Sequence, residues 1–135
     1  MKNPLATVYC YIAAWNEREP SRRRELIRQA FAEDAVYVDP LSKAQGYDEI
    51  DKAIAGFFEM LPGTAFLVSD EIIRQNSILS YSWKLTAFDG STLVEGSDRV
   101  QLAEDGRYRY AIGFYVADPV ETSNKAKTAF EAYQN

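Results

Sequence analysis

Residues 92–116 constrain this chain most, because two alternating runs meet there across a short polar gap. In the first run, Val94, Gly96, Asp98, Val100 and Leu102 share one strand face, and Leu93, Glu95, Ser97, Arg99 and Gln101 share the other. In the second run, Tyr108, Tyr110, Ile112, Phe114 and Val116 fall on one face. Between them, Glu104-Asp105-Gly106 makes a three-residue loop with glycine at the left-handed third position. Both apolar faces meet only if paired positions have an even sum, which an odd-length loop supplies. Asp98 then lies opposite Ile112, in the middle of an apolar face. A carboxylate in that setting either carries a heavy desolvation penalty or takes up a proton. The hairpin predicts a pocket that contains an uncharged acid.

The strand before it strengthens that register. Over residues 77–88, Leu79, Tyr81, Trp83, Leu85 and Ala87 alternate with Ser80, Ser82, Lys84 and Thr86. Asp89-Gly90 reads as a two-residue hairpin turn. That turn pairs Leu85 with Val94, Trp83 with Gly96 and Tyr81 with Asp98, setting the largest side chain against a missing one. A further strand is expected over 66–74, and a short one over 35–39, stopped by Pro40.

Three helices precede most of these strands. Asn3-Pro4 opens the first, whose apolar stripe is Val8, Tyr11, Ile12 and Trp15, widened by Leu5 and Tyr9. Pro20 opens the second, with Leu26, Ile27, Ala30 and Phe31 inward and Arg22-Arg23-Arg24 as a solvated face. Gly46 precedes the third, with Ile50, Ala53, Ile54, Phe57 and Leu61 at helical spacing before Pro62-Gly63. Helices followed by a long meander give an α+β domain. Three N-terminal helices pack on a strongly curved, mostly antiparallel sheet that forms a cone with an apolar interior. We expect one domain over 1–135, its core about 5–117, with 118–135 as a tail that is either a short helix from Ser123 or frayed.

Composition narrows the chemistry. The 135 residues include no histidine, which removes Ser-His-Asp and Cys-His nucleophiles and the usual zinc and non-haem iron sites. Neither metal nor cofactor is expected, and proton transfer falls to carboxylates, Tyr or Lys. A net charge of −5 argues against nucleic acid. The single cysteine, Cys10, excludes an internal disulfide and fits a reducing, cytoplasmic setting. The N-terminal stretch has one Lys and soon reaches Asn16-Glu17-Arg18-Glu19, so it does not read as a secretory signal. No apolar run is long enough to cross a bilayer.

Several segments together resemble the NTF2-like superfamily, over roughly residues 5–116. They are Tyr11-Ile12-Ala13-Ala14-Trp15-Asn16, Phe31-Ala32-Glu33-Asp34-Ala35, Val38-Asp39-Pro40, Gly46 before the third helix, and Asp98 followed by Asp105-Gly106. Within the superfamily they are similar to both SnoaL-like proteins and ketosteroid isomerases. The isomerase resemblance implies a general base at Asp39, before Pro40, and an oxyanion hole of Tyr11 and protonated Asp98. The third-helix tyrosine of that pattern falls near Ile54 here, and Trp15 and Arg99 are not part of it. Dimers that form through the outer sheet face are common in the superfamily. A homodimer is therefore expected through a face carrying Lys84, Thr86, Arg107, Arg109 and Tyr115.

Each site residue also has a plainer role open to it. Asp98 could accept a hydrogen bond from Tyr81 or pair with a buried arginine. Asp39 could cap the turn before Pro40, and Tyr11 could fill the core with its hydroxyl satisfied. Trp15, Tyr37, Phe57, Tyr81, Trp83, Ile112 and Phe114 are read as pocket walls or core. Two classes of function stand. One is a cofactor-free acid–base enzyme acting on a small hydrophobic carbonyl compound, by isomerisation or by a SnoaL-like aldol cyclisation of a polyketide. The other is a non-catalytic binding or dimerisation module. An epoxide hydrolase would want an Asp-Arg-Asp relay, whereas Arg99 faces away from Asp98.

Overall fold

The structure, a computed structural model, describes residues 3–134. Met1, Lys2 and Asn135 lie outside the described residues, and with them the first residues of the N-terminal stretch considered above. Helices α1 (Pro4–Asn16) and α2 (Pro20–Ala30) lead into strands β1 (Phe31–Val38) and β2 (Lys43–Gln45). Helix α3 (Gly46–Met60) precedes β3 (Ala65–Val68), β4 (Ile73–Gln75), β5 (Ile78–Thr86), β6 (Thr92–Leu102) and β7 (Tyr108–Tyr115). Helix α4 (Pro119–Ala132) closes the described chain.

Three of the helices start by one device, a side-chain cap followed by proline, whose missing N–H would have had no partner in the first turn. Asn3 Oδ1 accepts from the Leu5 N–H at 3.0 Å. The Glu19 carboxylate accepts from the Ser21 and Arg22 N–H groups at 3.1 and 2.8 Å. Asp118 Oδ1 accepts from the Val120 and Glu121 N–H groups, both at 3.0 Å. The tail beyond 118 is thus helical from Pro119, earlier than the Ser123 start read from the sequence. On α1, Leu5 and Tyr9 are exposed rather than part of the stripe, while Thr7 and Ala14 are buried. The Thr7 hydroxyl donates to the Gly106 carbonyl at 2.9 Å and ties α1 to the β6–β7 loop. On α2, Arg23 departs from the expected solvated face: it is buried and pairs with Asp51 of α3 at 2.6 Å.

The sheet runs β2-β1-β7-β6-β5-β3, with β4 also on β5. Every pairing is antiparallel except β1 with β7, which is parallel. The single strand expected over 66–74 is two strands, β3 and β4, which pair with opposite ends of β5. Val8, Ile27, Phe31, Ile50, Ile54, Leu79, Leu85, Val100 and Tyr108 are buried to 2% exposure or less and fill the space between helices and sheet. Removing that apolar surface from water is the main force holding the layers together.

Two registers decide where the site falls. Between β5 and β6 the loop has three residues, 88–90, because Ala87 donates to the Ser91 carbonyl at 2.8 Å. A bulge at Leu93 then takes up the difference, so Leu85, Trp83 and Tyr81 pair with Val94, Gly96 and Asp98 as the two-residue turn predicts. Between β6 and β7 the loop forms as read, with Gly106 at φ +87° and Leu102 opposite Tyr108. One step further β7 carries an extra residue, Arg109, and Gln101 pairs with Tyr110. Parity flips at that bulge. Asp98 lies opposite Gly113 rather than Ile112, and Ala111, Gly113 and Tyr115 share its face. Ile112 and Phe114, expected as pocket residues, pair with Arg99 and Ser97 on the outer face, where Phe114 is 52% exposed. The irregularity sits where the parallel β1–β7 pairing is also interrupted, between Phe31↔Tyr108 and Val36↔Tyr110. Strand β7 must satisfy both neighbours there, a demand that alternation within β7 does not encode.

Candidate active site

Asp98 reaches the concave face from the middle of β6 and is only 3% exposed. Its Oδ1 accepts from the Trp83 indole N–H at 3.0 Å. Trp83 can lie across to it because position 96, its partner on β6, has no side chain. A Cβ at Gly96 would collide with the Trp83 six-membered ring and stand 2.7 Å from the Phe114 carbonyl oxygen. Burial pushes the Asp98 carboxyl up to about 7. Hydrogen bonding from Trp83, and weaker interactions with the Tyr81 and Tyr11 hydroxyls, act the other way, while the charge of Asp39 adds to the rise. Among the described residues no arginine or lysine pairs with Asp98. Arg99 points to the opposite face, where it donates to Ser80 Oγ at 2.6 Å.

Around this acid stand phenols. Tyr11, from α1, is 3% exposed, and burial followed by the field of Asp98 keeps its hydroxyl protonated well past the usual tyrosine range. Tyr81 lies behind the cleft lining rather than in it, and its hydroxyl shares a 2.8 Å hydrogen bond with that of Tyr108. Tyr37, from β1, donates to Asp39 Oδ2 at 2.7 Å, and the Leu41 N–H donates to Asp39 Oδ1 at 2.8 Å. Asp39 is half-buried at the end of β1, so the two acids occupy different settings, one dry and one partly wet.

Gly113 shows how near these groups come. A Cβ at that position would stand 3.3 Å from the Tyr37 hydroxyl oxygen, 3.4 Å from Asp98 Oδ1 and 3.5 Å from Asp39 Cβ. The Asp98 carboxyl, the Tyr37 phenol and the base of the Asp39 side chain thus meet around position 113.

Tyr11, Asp39 and Asp98 line a single cleft, together with Trp15, Tyr37, Phe57 and Trp83. The unfilled space in and in front of it is about 710 Å³, a figure that runs out into solvent. Trp15 meets Tyr37, Phe57 and Phe66 at ring-centroid distances of 5.2, 5.5 and 5.7 Å, an aromatic wall facing the acids. The mouth is built by Leu41, Met60 and the segment after β7, including Pro119 and Thr122 of α4. Sequence reasoning missed Gly113 and Tyr115, which the bulge turns inward, and all of the α4 contribution. The Asp118-Pro119 pair, which repeats the pattern of Asn3-Pro4, was the available signal for the helix. Tyr115 also leaves the outer face assigned to it, and Arg107 donates to the Arg28 and Phe31 carbonyls and to Tyr47 instead of facing out. No group of histidine, cysteine and acidic residues among the described residues is arranged to hold a metal ion.

The layers and the blind apolar cleft define a protein of the NTF2-like (cystatin-like) α+β fold. The SnoaL-like domain model matches residues 8–111, and the chain belongs to that family. A SnoaL-like family protein of Agrobacterium tumefaciens is 34% identical, with 87% of this chain and 100% of that one covered at a TM-score of 0.80. A protein from Catenulispora acidiphila with a ketosteroid isomerase-like fold, solved with trimethylamine, is 17% identical over 87% and 92% of the two chains, at a TM-score of 0.70. An NTF2-like protein of an Exiguobacterium species is 16% identical over 83% and 99%, at 0.66. At that identity the last two show the fold alone. No curated protein matches the sequence.

Proposed function

We propose that this chain is a cofactor-free acid–base enzyme that removes a proton α to the carbonyl of a small hydrophobic compound. The observation that carries this reading is Asp98, a buried carboxyl with no cation partner among the described residues, in the same cleft as a second, wetter carboxylate. Asp39 is the base. Each of its oxygens already accepts one hydrogen bond, which fixes the carboxylate and leaves lone pairs for the substrate proton. As the C–H bond breaks, its electron pair moves into the carbonyl and the oxygen gains charge. The Tyr11 hydroxyl and protonated Asp98 donate to that oxygen, each supplying about 2–4 kcal/mol of transition-state stabilisation. Asp39 then returns the proton to another carbon of the enolate in an isomerisation; in an aldol cyclisation the enolate carbon attacks a second carbonyl, whose π pair moves to its oxygen, and that oxygen takes the proton back from Asp39. Both outcomes need the same first step, and the alternative of a binding module needs none of it.

Solvent-deuterium incorporation into a hydrophobic β,γ-enone, followed by NMR, separates these. Asp39→Asn lowers the exchange rate by about 10²–10⁴, the usual span for a lost general base, and Asp98→Ala lowers it by about 10²–10³. Exchange at the uncatalysed rate in the unchanged protein leaves the binding module standing.

We further propose a homodimer through the outer sheet face, in a reducing cytoplasmic setting. Tyr110, Ile112 and Phe114, turned outward by the bulge, form an apolar stripe there beside Ile78.

A further inference from the structure

Two buried polar groups of the cleft have no hydrogen-bond partner among the described residues: the Trp15 indole N–H and the Tyr115 hydroxyl. Native chains rarely leave such groups unpaired, and both residues line the cleft. Trp15 follows Tyr11 by one helical turn, and its N–H lies near enough to the Tyr11 hydroxyl to favour that phenol's ionised form without making a well-formed hydrogen bond. It belongs to the end of the cleft where a carbonyl oxygen would sit. Tyr115 comes from β7. It stands two residues beyond Gly113 on the same strand face, opposite Gly96, and its ring meets Trp83 edge-on at 5.7 Å. Burial, then the charge of Asp39, pushes its hydroxyl up to about 12, so it is a donor throughout the neutral range. The lining near it is otherwise apolar, with Leu85, Val94 and Ala117. Tyr115 lies beyond residues 8–111, the span that matches the family model.

We propose that Tyr115 is a specificity-determining residue that holds a second substrate oxygen beside Asp39, which makes 1,3-dicarbonyl compounds the substrate class. The inference rests on the acid–base reading above. In such a compound the acidic carbon lies between two oxygens. The proposed pose sets one oxygen at Tyr11 and Asp98 and the other at Tyr115, and offers the carbon between them to Asp39, which lines the same cleft. The second carbonyl also acidifies the carbon, easing the work asked of a carboxylate base. A simple ketone in the same pose leaves the Tyr115 hydroxyl buried and unpaired, and sites built around a polar group discriminate sharply against ligands that cannot meet it.

The test compares 1-phenylbutane-1,3-dione with 1-phenylbutan-1-one, which share the phenyl group and chain. Binding is read at pH 6, where the diketone is neutral, from the indole N–H resonances of the chain's two tryptophans. The diketone binds about tenfold more tightly, the scale of one buried hydrogen bond, and Tyr115→Phe brings the ratio to about one. A ratio near one in the unchanged protein overturns the proposal without needing any variant. So does a ratio that survives Tyr115→Phe in a protein whose near-ultraviolet circular dichroism is intact. Because binding is measured rather than turnover, a tenfold preference with no deuterium exchange would sink the catalytic reading alone, and exchange without preference would sink this one alone.

Discussion

Trp83 reaches Asp98 because position 96 is bare, whereas a Cβ at position 113 would only touch Asp98 and Asp39 and slightly crowd the Tyr37 hydroxyl. The Trp83–Gly96 match was legible in the sequence, since alternation and a turn sufficed to pair them. The indole N–H as the partner of Asp98 was not, because periodicity places a side chain on a face without saying which atom it offers. The buried acid has a consequence for stability with a definite sign. The folded chain keeps the Asp98 proton up to about pH 7, whereas an unfolded aspartate loses it near 4. Between those values folding takes up a proton. The contribution of Asp98 is thus fullest below about pH 4, falls as pH rises, and is lost above about 7. Asp98→Asn keeps an acceptor for Trp83 and removes the titration. Thermal unfolding of the two proteins should therefore show similar stability near pH 4, with the variant gaining as pH rises, to a limit on the order of 4 kcal/mol at pH 8. A gap that does not change with pH would place an ordinary carboxylate at position 98.

At the scale of elements, what could be read were the parts governed by local rules. Helices α1, α2 and α3, the β5–β6 register and the β6–β7 loop all follow from caps, turns and alternation. What could not be read were the parts set by two neighbours at once. The Arg109 bulge arises in a strand that pairs antiparallel with β6 and parallel with β1, and it exchanged Ile112 and Phe114 for Gly113 and Tyr115. Asp39, Tyr11 and Asp98 survive that exchange because none of them lies on β7. Helix α4 was underread for a different reason: its cap and proline are plain in Asp118-Pro119, but only Ser123 and Ala126 are buried along it, so its apolar periodicity is faint. The Ser123 hydroxyl donates to the Met60 carbonyl at 2.6 Å, and Phe130 meets Phe88 edge-on, which holds the helix at the mouth of the cleft.

Taken as a whole molecule, the sheet has two unlike faces. The concave one is covered by helices and holds the cleft; the convex one carries the Tyr110, Ile112 and Phe114 stripe that a solvated sheet would not choose. If two copies pair through it, sedimentation equilibrium at micromolar concentration gives twice the 15.3 kDa chain mass, and Phe114→Glu gives the single mass with the tryptophan environment unchanged. A single mass in the unchanged protein would mean that this face is free. Both the chemistry and the pH-linked stability come back to one carboxyl. The most direct measurement is a carbon-13 titration of the Asp98 side-chain carboxyl, assigned by its loss in Asp98→Asn. A midpoint close to 7 is the predicted result; a midpoint near 4, the ordinary aspartate value, would contradict it and leave Tyr11 as the one remaining donor proposed for an enolate.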